Sequence, residues 1–216
     1  MHLSELHMDW RAVVAVVAST LLLTLSEYHL FFEGLVSNTS DARLATQTLL
    51  YLVIPLTIIL LVFRESPADY GLRLGDWRAG LLLTLGGCGA LAVTMLLIGH
   101  TAAFKAYYGG TTTRTGLPFW LADAVDLFSW EFFFRGFLFF ALYRACGPIA
   151  LVLQAVPFTL AHFGKPELET LSCIFGGTAF GYVAWRTDSA IYPFLIHWFL
   201  TAFTRLVASG VVRPPF

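Results

Sequence analysis

Apolar runs long enough to cross a bilayer recur along almost the whole chain, and nothing else constrains its fold as strongly. A transmembrane helix needs about 20 predominantly apolar residues. Seven stretches read that way: 12–32, 44–63, 79–99, 117–145, 147–162, 171–185 and 190–209. In hydrocarbon every backbone polar group must be satisfied internally, so unbroken runs of this kind become helices. The fourth run is long enough to bend, and a different cut of it gives eight spans. The expected fold class is all-α: a polytopic transmembrane helix bundle forming a single integral membrane domain over residues 1–216.

Composition agrees. Hydrophobic residues make up 57% of the chain and charged residues 12%, where a soluble domain carries about 25% charged residues. The net charge of −1 provides no basic field for nucleic acid. Glu5 and Asp9 precede the first run and no small-x-small cleavage pattern follows, so it reads as a retained span. Arg64, Arg73 and Arg78 lie between the second and third runs, which places that loop and the N-terminus in the cytoplasm; Lys105, Arg114 and Lys165 fall on the opposite side. Cys88, Cys146 and Cys173 show no CxxC spacing and read as small buried residues. Gly86, Gly87 and Gly89 in the third run, with Gly177 and Gly181 in the sixth, read as close helix contacts.

Charges placed mid-span carry more information. In a bilayer they are costly, face the bundle interior and find partners. The fourth run holds Asp123, Asp126, Glu131 and Arg135. Glu131 and Arg135 are one turn apart and share a face, which fits either a structural ion pair or a carboxylate kept ionised for chemistry. His162 ends the fifth run one turn after Pro157, which is expected to kink it. His197 lies in the seventh, one turn after Pro193, and Arg205 reads as a snorkelling residue. Glu27 and His29 end the first run and read as interfacial or as lining the mouth of a cavity. Each histidine alone fits a structural role. One carboxylate and two imidazoles converging from three spans would instead activate water, with the Glu taking a proton and the His residues binding a metal or holding an oxyanion. No HExxH motif is present.

The ordered set "EFFFR" (131–135), "FTLAH" (158–162) and "HWFLT" (197–201) resembles the CPBP family of intramembrane proteases, which includes type II CAAX prenyl endopeptidases and ABI-like bacteriocin-processing or self-immunity proteins. "YGLRLGDWRAG" (70–80) is similar to the segment that precedes a span in bacterial members. The functional part of the likeness lies in residues 130–201, within a CPBP-like core of about 117–209. The family pattern has two adjacent glutamates, three residues and an arginine, then Phe-x-x-x-His, then His-x-x-x-Asn or Asp. Glu131 matches the second glutamate, and Arg135, His162 and His197 match in turn. Trp130 stands in place of the first glutamate, the expected base, and an indole cannot accept a proton. Thr201 stands in place of Asn or Asp; its hydroxyl can still donate a hydrogen bond, with shorter reach.

The resemblance implies an intramembrane metalloendopeptidase. Its catalytic set would be Glu131, Arg135, His162 and His197, with a divalent metal, zinc first, on His162 and His197. Auxiliary candidates are Trp130 itself, Asp126 one turn before it, Glu167 and Glu169 after His162, and Thr201. Glu167 and Glu169 also fit an ordinary helix start behind Pro166. The expected partners are a membrane-associated peptide or protein substrate and the lipid bilayer. The expected location is the cell membrane, as a multi-pass protein of the bacterial inner membrane. The alternatives are an inactive relative serving as an immunity or scaffold protein, and a transporter, although the chain shows no repeat symmetry.

Overall fold

A computed structural model describes residues 9–36, 38–110 and 119–213. Among these residues the regular structure is entirely helical. The helices are α1 (Trp10–Tyr28), α2 (Thr39–Phe63), α3 (Trp77–Ile98), α4 (Ala102–Tyr108), α5 (119–146), α6 (150–160), α7 (Glu167–Thr187) and α8 (Ile191–Ala208). By length and composition five helical stretches among the described residues are fit to cross a membrane; one of them, Trp120–Leu160, takes in both α5 and α6. A 3-10 turn at Gly147–Ile149 breaks that stretch, with Gly147 at φ 63°, so the fourth and fifth apolar runs are separate helices. α7 is helical throughout the sixth run but falls outside the five.

Two helices widen into π turns. In α2 these flank Pro55, which has no N–H to give the α-helical ladder. In α5 the π turn spans Phe132–Leu138, immediately after Glu131 and around Arg135. Single π turns inside α-helices are rare and cluster at functional sites.

The core sits around this turn. Phe132, Phe133, Phe134, Phe137 and Phe139 are completely buried, together with Tyr70 and Ile59. Lipid is as apolar as Leu, so such helices associate through packing and through small residues that allow close approach. Gly177 and Gly181 behave as expected: a Cβ at Gly177 would lie 2.9 Å from Ala155 Cβ, and one at Gly181 would lie 2.8 Å from Gln154 Nε2. In α3 the contacts differ from expectation. Gly87 packs on Ile196, but Gly86 and Gly89 face open space. The position that brings α3 onto α8 most closely is Gly80, which lies beneath the Tyr192 ring.

The segment after α2 clips the two ends of the α7–α8 turn. The Gly71 carbonyl accepts from Ala190 N (3.0 Å), Asp76 N donates to the Thr187 carbonyl (2.9 Å), and Tyr192 OH donates to the Leu74 carbonyl (2.8 Å). Arg73 pairs with Asp188, and Arg186 with Asp76 at 2.8 Å. Nearby, Glu65 receives Arg11 at 2.9 Å, Arg144 at 2.7 Å and the Tyr70 hydroxyl at 2.6 Å. This network ties α1, α2 and α5 together at the same end as the clip.

Candidate functional site

The clip closes one end of the bundle, and a cavity of about 700 Å³ opens toward the other. It is lined by the C-terminal half of α1, the N-terminal half of α2, α4, α5, α6 and α8. Helical periodicity explains which residues reach it. On α5 these are Asp123, Asp126, Leu127 and Trp130; on α8 they are His197, Thr201 and Arg205. Both sets recur every three or four residues and so share one face of their helix. At 1.5 Å per residue, Arg205 and His197 stand about 12 Å apart along the α8 axis, which places Arg205 nearer the mouth and His197 near the floor.

The two imidazoles meet this cavity. His162 and His197 both line it and are 2% and 5% exposed. His162 Nδ1 is 2.7 Å from the Phe158 carbonyl. A carbonyl only accepts, so Nδ1 carries the proton and Nε2 keeps its lone pair. The turn after α6 that holds His162 is fixed by Thr170, whose hydroxyl donates to the His162 carbonyl (2.9 Å). His197 Nδ1 is 2.6 Å from Glu131 Oε1. The carboxylate oxygen likewise accepts, so His197 carries its proton on Nδ1 and Nε2 is left free to accept.

Glu131 is completely buried and does not line the cavity. Its Oε1 also takes Arg135 Nη1 at 3.1 Å, while its Oε2 has no hydrogen-bond partner among the described residues. Arg135, likewise fully buried, lies in an aromatic cage with its guanidinium 3.9 Å from the Phe158 ring centre and 5.3 Å from that of Phe180. Phe158 therefore touches both limbs of the site: its ring packs on Arg135 and on His162, and its carbonyl holds the His162 proton.

Trp130 lines the cavity and packs edge-on against His162 and against Tyr51. Asp126 and Thr201 line the cavity. Glu169 does not; it accepts from the Tyr108 hydroxyl at 2.7 and 2.8 Å and pairs with Lys165 at 3.2 Å. Glu167 is exposed in the first turn of α7. Glu27, read as interfacial or at a cavity mouth, lines the cavity. Arg205 does not snorkel to the interface: it is 8% exposed and paired with Asp123, with two nitrogen–oxygen distances of 3.0 Å. Its placement on the His197–Thr201 face was the available signal. Of the three free cysteines, Cys173 is buried, Cys88 is partly so and Cys146 is exposed.

The donor set bears on a metal. With both Nδ1 atoms engaged, the histidines offer two nitrogens, whereas a catalytic zinc is held by three protein ligands with a fourth position open. No group of three or more His, Cys, Asp or Glu side chains among the described residues is arranged to hold a metal ion. Glu131, the carboxylate in contact with His197, spends one oxygen on Arg135 and His197. The two histidines alone do not make a zinc site of that kind.

Residues 114–203 match the family model described as type II CAAX prenyl endopeptidase Rce1-like. The matched stretch carries Glu131, Arg135, His162 and His197; Glu131 contacts Arg135 and His197, and Phe158 packs on both Arg135 and His162. No curated protein and no solved structure matches the chain.

Proposed function

Starting from the CPBP family membership that this match supports, we propose that the chain is an intramembrane endopeptidase in which His197, held by Glu131, takes the proton from the attacking water. The 2.6 Å contact between His197 Nδ1 and Glu131 Oε1 carries this reading, because it leaves a ring nitrogen with a lone pair in a cavity-lining residue. The logic is that of an acid–imidazole pair: the carboxylate fixes the tautomer and stabilises the imidazolium as it forms.

In this account Nε2 of His197 accepts one water proton as the oxygen adds to the scissile carbonyl, and His197 later returns that proton to the leaving amine. Nε2 of His162 accepts the second hydrogen of the water and aims its oxygen. The Thr201 hydroxyl, one turn along α8 from His197, donates to the developing oxyanion. Arg135 holds Glu131 in place through its ion pair at 3.1 Å. Trp130 braces His162 through a T-shaped ring contact. The substrate is a membrane-associated peptide segment that enters through the cavity.

Trp130 favours a second reading, that of an inactive relative serving as an immunity or scaffold protein, because the family's usual acid is absent from that position. One experiment separates the two. The protein in proteoliposomes is mixed with a panel of membrane-anchored peptides in ¹⁸O-water and the products are weighed by mass spectrometry. Hydrolysis gives a new C-terminus carrying one ¹⁸O. A folded protein that cleaves no peptide of the panel supports the inactive reading.

A further inference from the structure

The buried amide of Gln154 lies outside the cavity and takes no part in the proposed proton transfers. It lies at the joint between the two helical stretches of α6 (Ala150–Leu153 and Ala155–Leu160) and is completely buried. An amide inside an apolar bundle is costly unless it is bonded. Nε2 spends both its hydrogens, one on the Leu151 carbonyl at 2.8 Å and one on the Gly177 carbonyl at 2.7 Å. Two carbonyl acceptors require the nitrogen on that side, so the amide orientation is determined. Oε1 has no hydrogen-bond partner among the described residues. The side chain is thus held as a donor at the expense of its acceptor.

The Gly177 carbonyl is also 3.4 Å from Arg135 Nη2. From there the chain of contacts continues: Arg135 Nη1 to Glu131 Oε1 at 3.1 Å, and Glu131 Oε1 to His197 Nδ1 at 2.6 Å. It crosses α6, α7, α5 and α8. Arg135 Nε has no hydrogen-bond partner among the described residues, so Nη1 and Nη2 supply the fork's polar anchors. The two glycines of α7 make the approach possible: a Cβ at Gly177 would crowd Ala155 and Phe158, and one at Gly181 would strike the Gln154 amide itself.

We propose that Gln154 is a positioning residue: by fixing the Gly177 carbonyl it holds the Arg135 fork, and through it the Glu131–His197 pair. The proposal rests on the hydrolytic reading for its kinetic consequence but not for its geometry. Two measurements on Gln154→Met, which keeps the side-chain length and removes the donor, test them separately. In steady-state cleavage kcat falls about tenfold while KM stays within about twofold, and in an Arg135→Lys background the same change costs less than about twofold, since the two act through one carbonyl. In ¹⁵N-histidine-labelled protein in detergent, the Nδ1–H signal assigned to His197 by its loss in His197→Gln moves or broadens in Gln154→Met. If that signal moves while neither protein cleaves any peptide, the hydrolytic reading fails and the positioning role stands. An unmoved signal with unchanged kcat overturns the proposal. Should Gln154→Met not fold, Gln154→Glu, which turns the donor into an acceptor at equal size, is read in the same way.

Discussion

His197 Nδ1 and Glu131 Oε1 stand 2.6 Å apart between α8 and α5, and the same oxygen lies 3.1 Å from Arg135 Nη1. One carboxylate oxygen thus serves an imidazole on the cavity wall and a guanidinium behind it. Glu131→Gln keeps the shape but removes the charge that fixes the His197 tautomer and stabilises its protonated form. Comparable acid-to-amide changes cost about 10⁴-fold in kcat; a fall of at least about 10²-fold is expected here, measured as peptide cleavage in proteoliposomes with folding checked by thermal unfolding.

Asp123 and Arg205 form a buried pair between α5 and α8 on the cavity wall. Removing one partner leaves a buried charge, a loss of about 3 kcal/mol. Asp123→Asn is expected to lower the unfolding midpoint by several degrees, and adding Arg205→Gln to recover part of that loss. Unfolding scans of the two single variants and the double variant measure the recovery.

Glycines separate into those that cannot change and those that can. Gly75 has φ 54°, and a Cβ there would run into the Thr187 carbonyl oxygen, a backbone atom that cannot swing away. Gly75→Ala is expected to destabilise by about 2 kcal/mol or more. Gly86 faces open space in α3, so Gly86→Ala is expected to be neutral or to stabilise by about 0.5 kcal/mol. The two unfolding midpoints should move apart.

Acid sensitivity should arise at the clip end. Burial works against the Glu65 charge, but hydrogen bonds from Tyr70 and Arg144 and the nearby charge of Arg11 hold its carboxyl below the usual carboxylate range. A carboxyl lowered on folding contributes stability that is present above its unfolded pKa and is lost as pH falls through its folded one. The wild-type midpoint should therefore drop as pH falls below the usual carboxylate range, more steeply than that of Glu65→Gln, with the two curves converging at the acid end. Thermal scans from neutral pH down to about pH 3 provide the comparison.

What the sequence made legible was local. Apolar runs and bilayer thickness are enough to read the helices, because hydrocarbon leaves the backbone few alternatives. The Glu131–Arg135 pair was visible because it lies within one helical turn. The break between α5 and α6 coincides with Gly147, where a positive φ turns the chain. What could not be read depended on which faces meet. Arg205 and Asp123 are separated by 82 positions, and only the docking of α8 on α5 shows that they pair. Spacing suggested that Glu131 itself reaches water; in the fold it turns away from the cavity, and His197 stands between. Gly86, Gly87 and Gly89 looked equivalent, yet Gly87 alone of the three meets a neighbour, because a helix turns each residue in its own direction.

Whether His197 takes the water proton is decided by cleavage by His197→Ala, measured beside wild type and His162→Ala in the same proteoliposomes on a peptide that the wild type cleaves. The expected result is a fall to background in His197→Ala, a large loss in His162→Ala, and unfolding midpoints close to wild type in both. Cleavage at the wild-type rate by folded His197→Ala would mean that this ring does not take the proton.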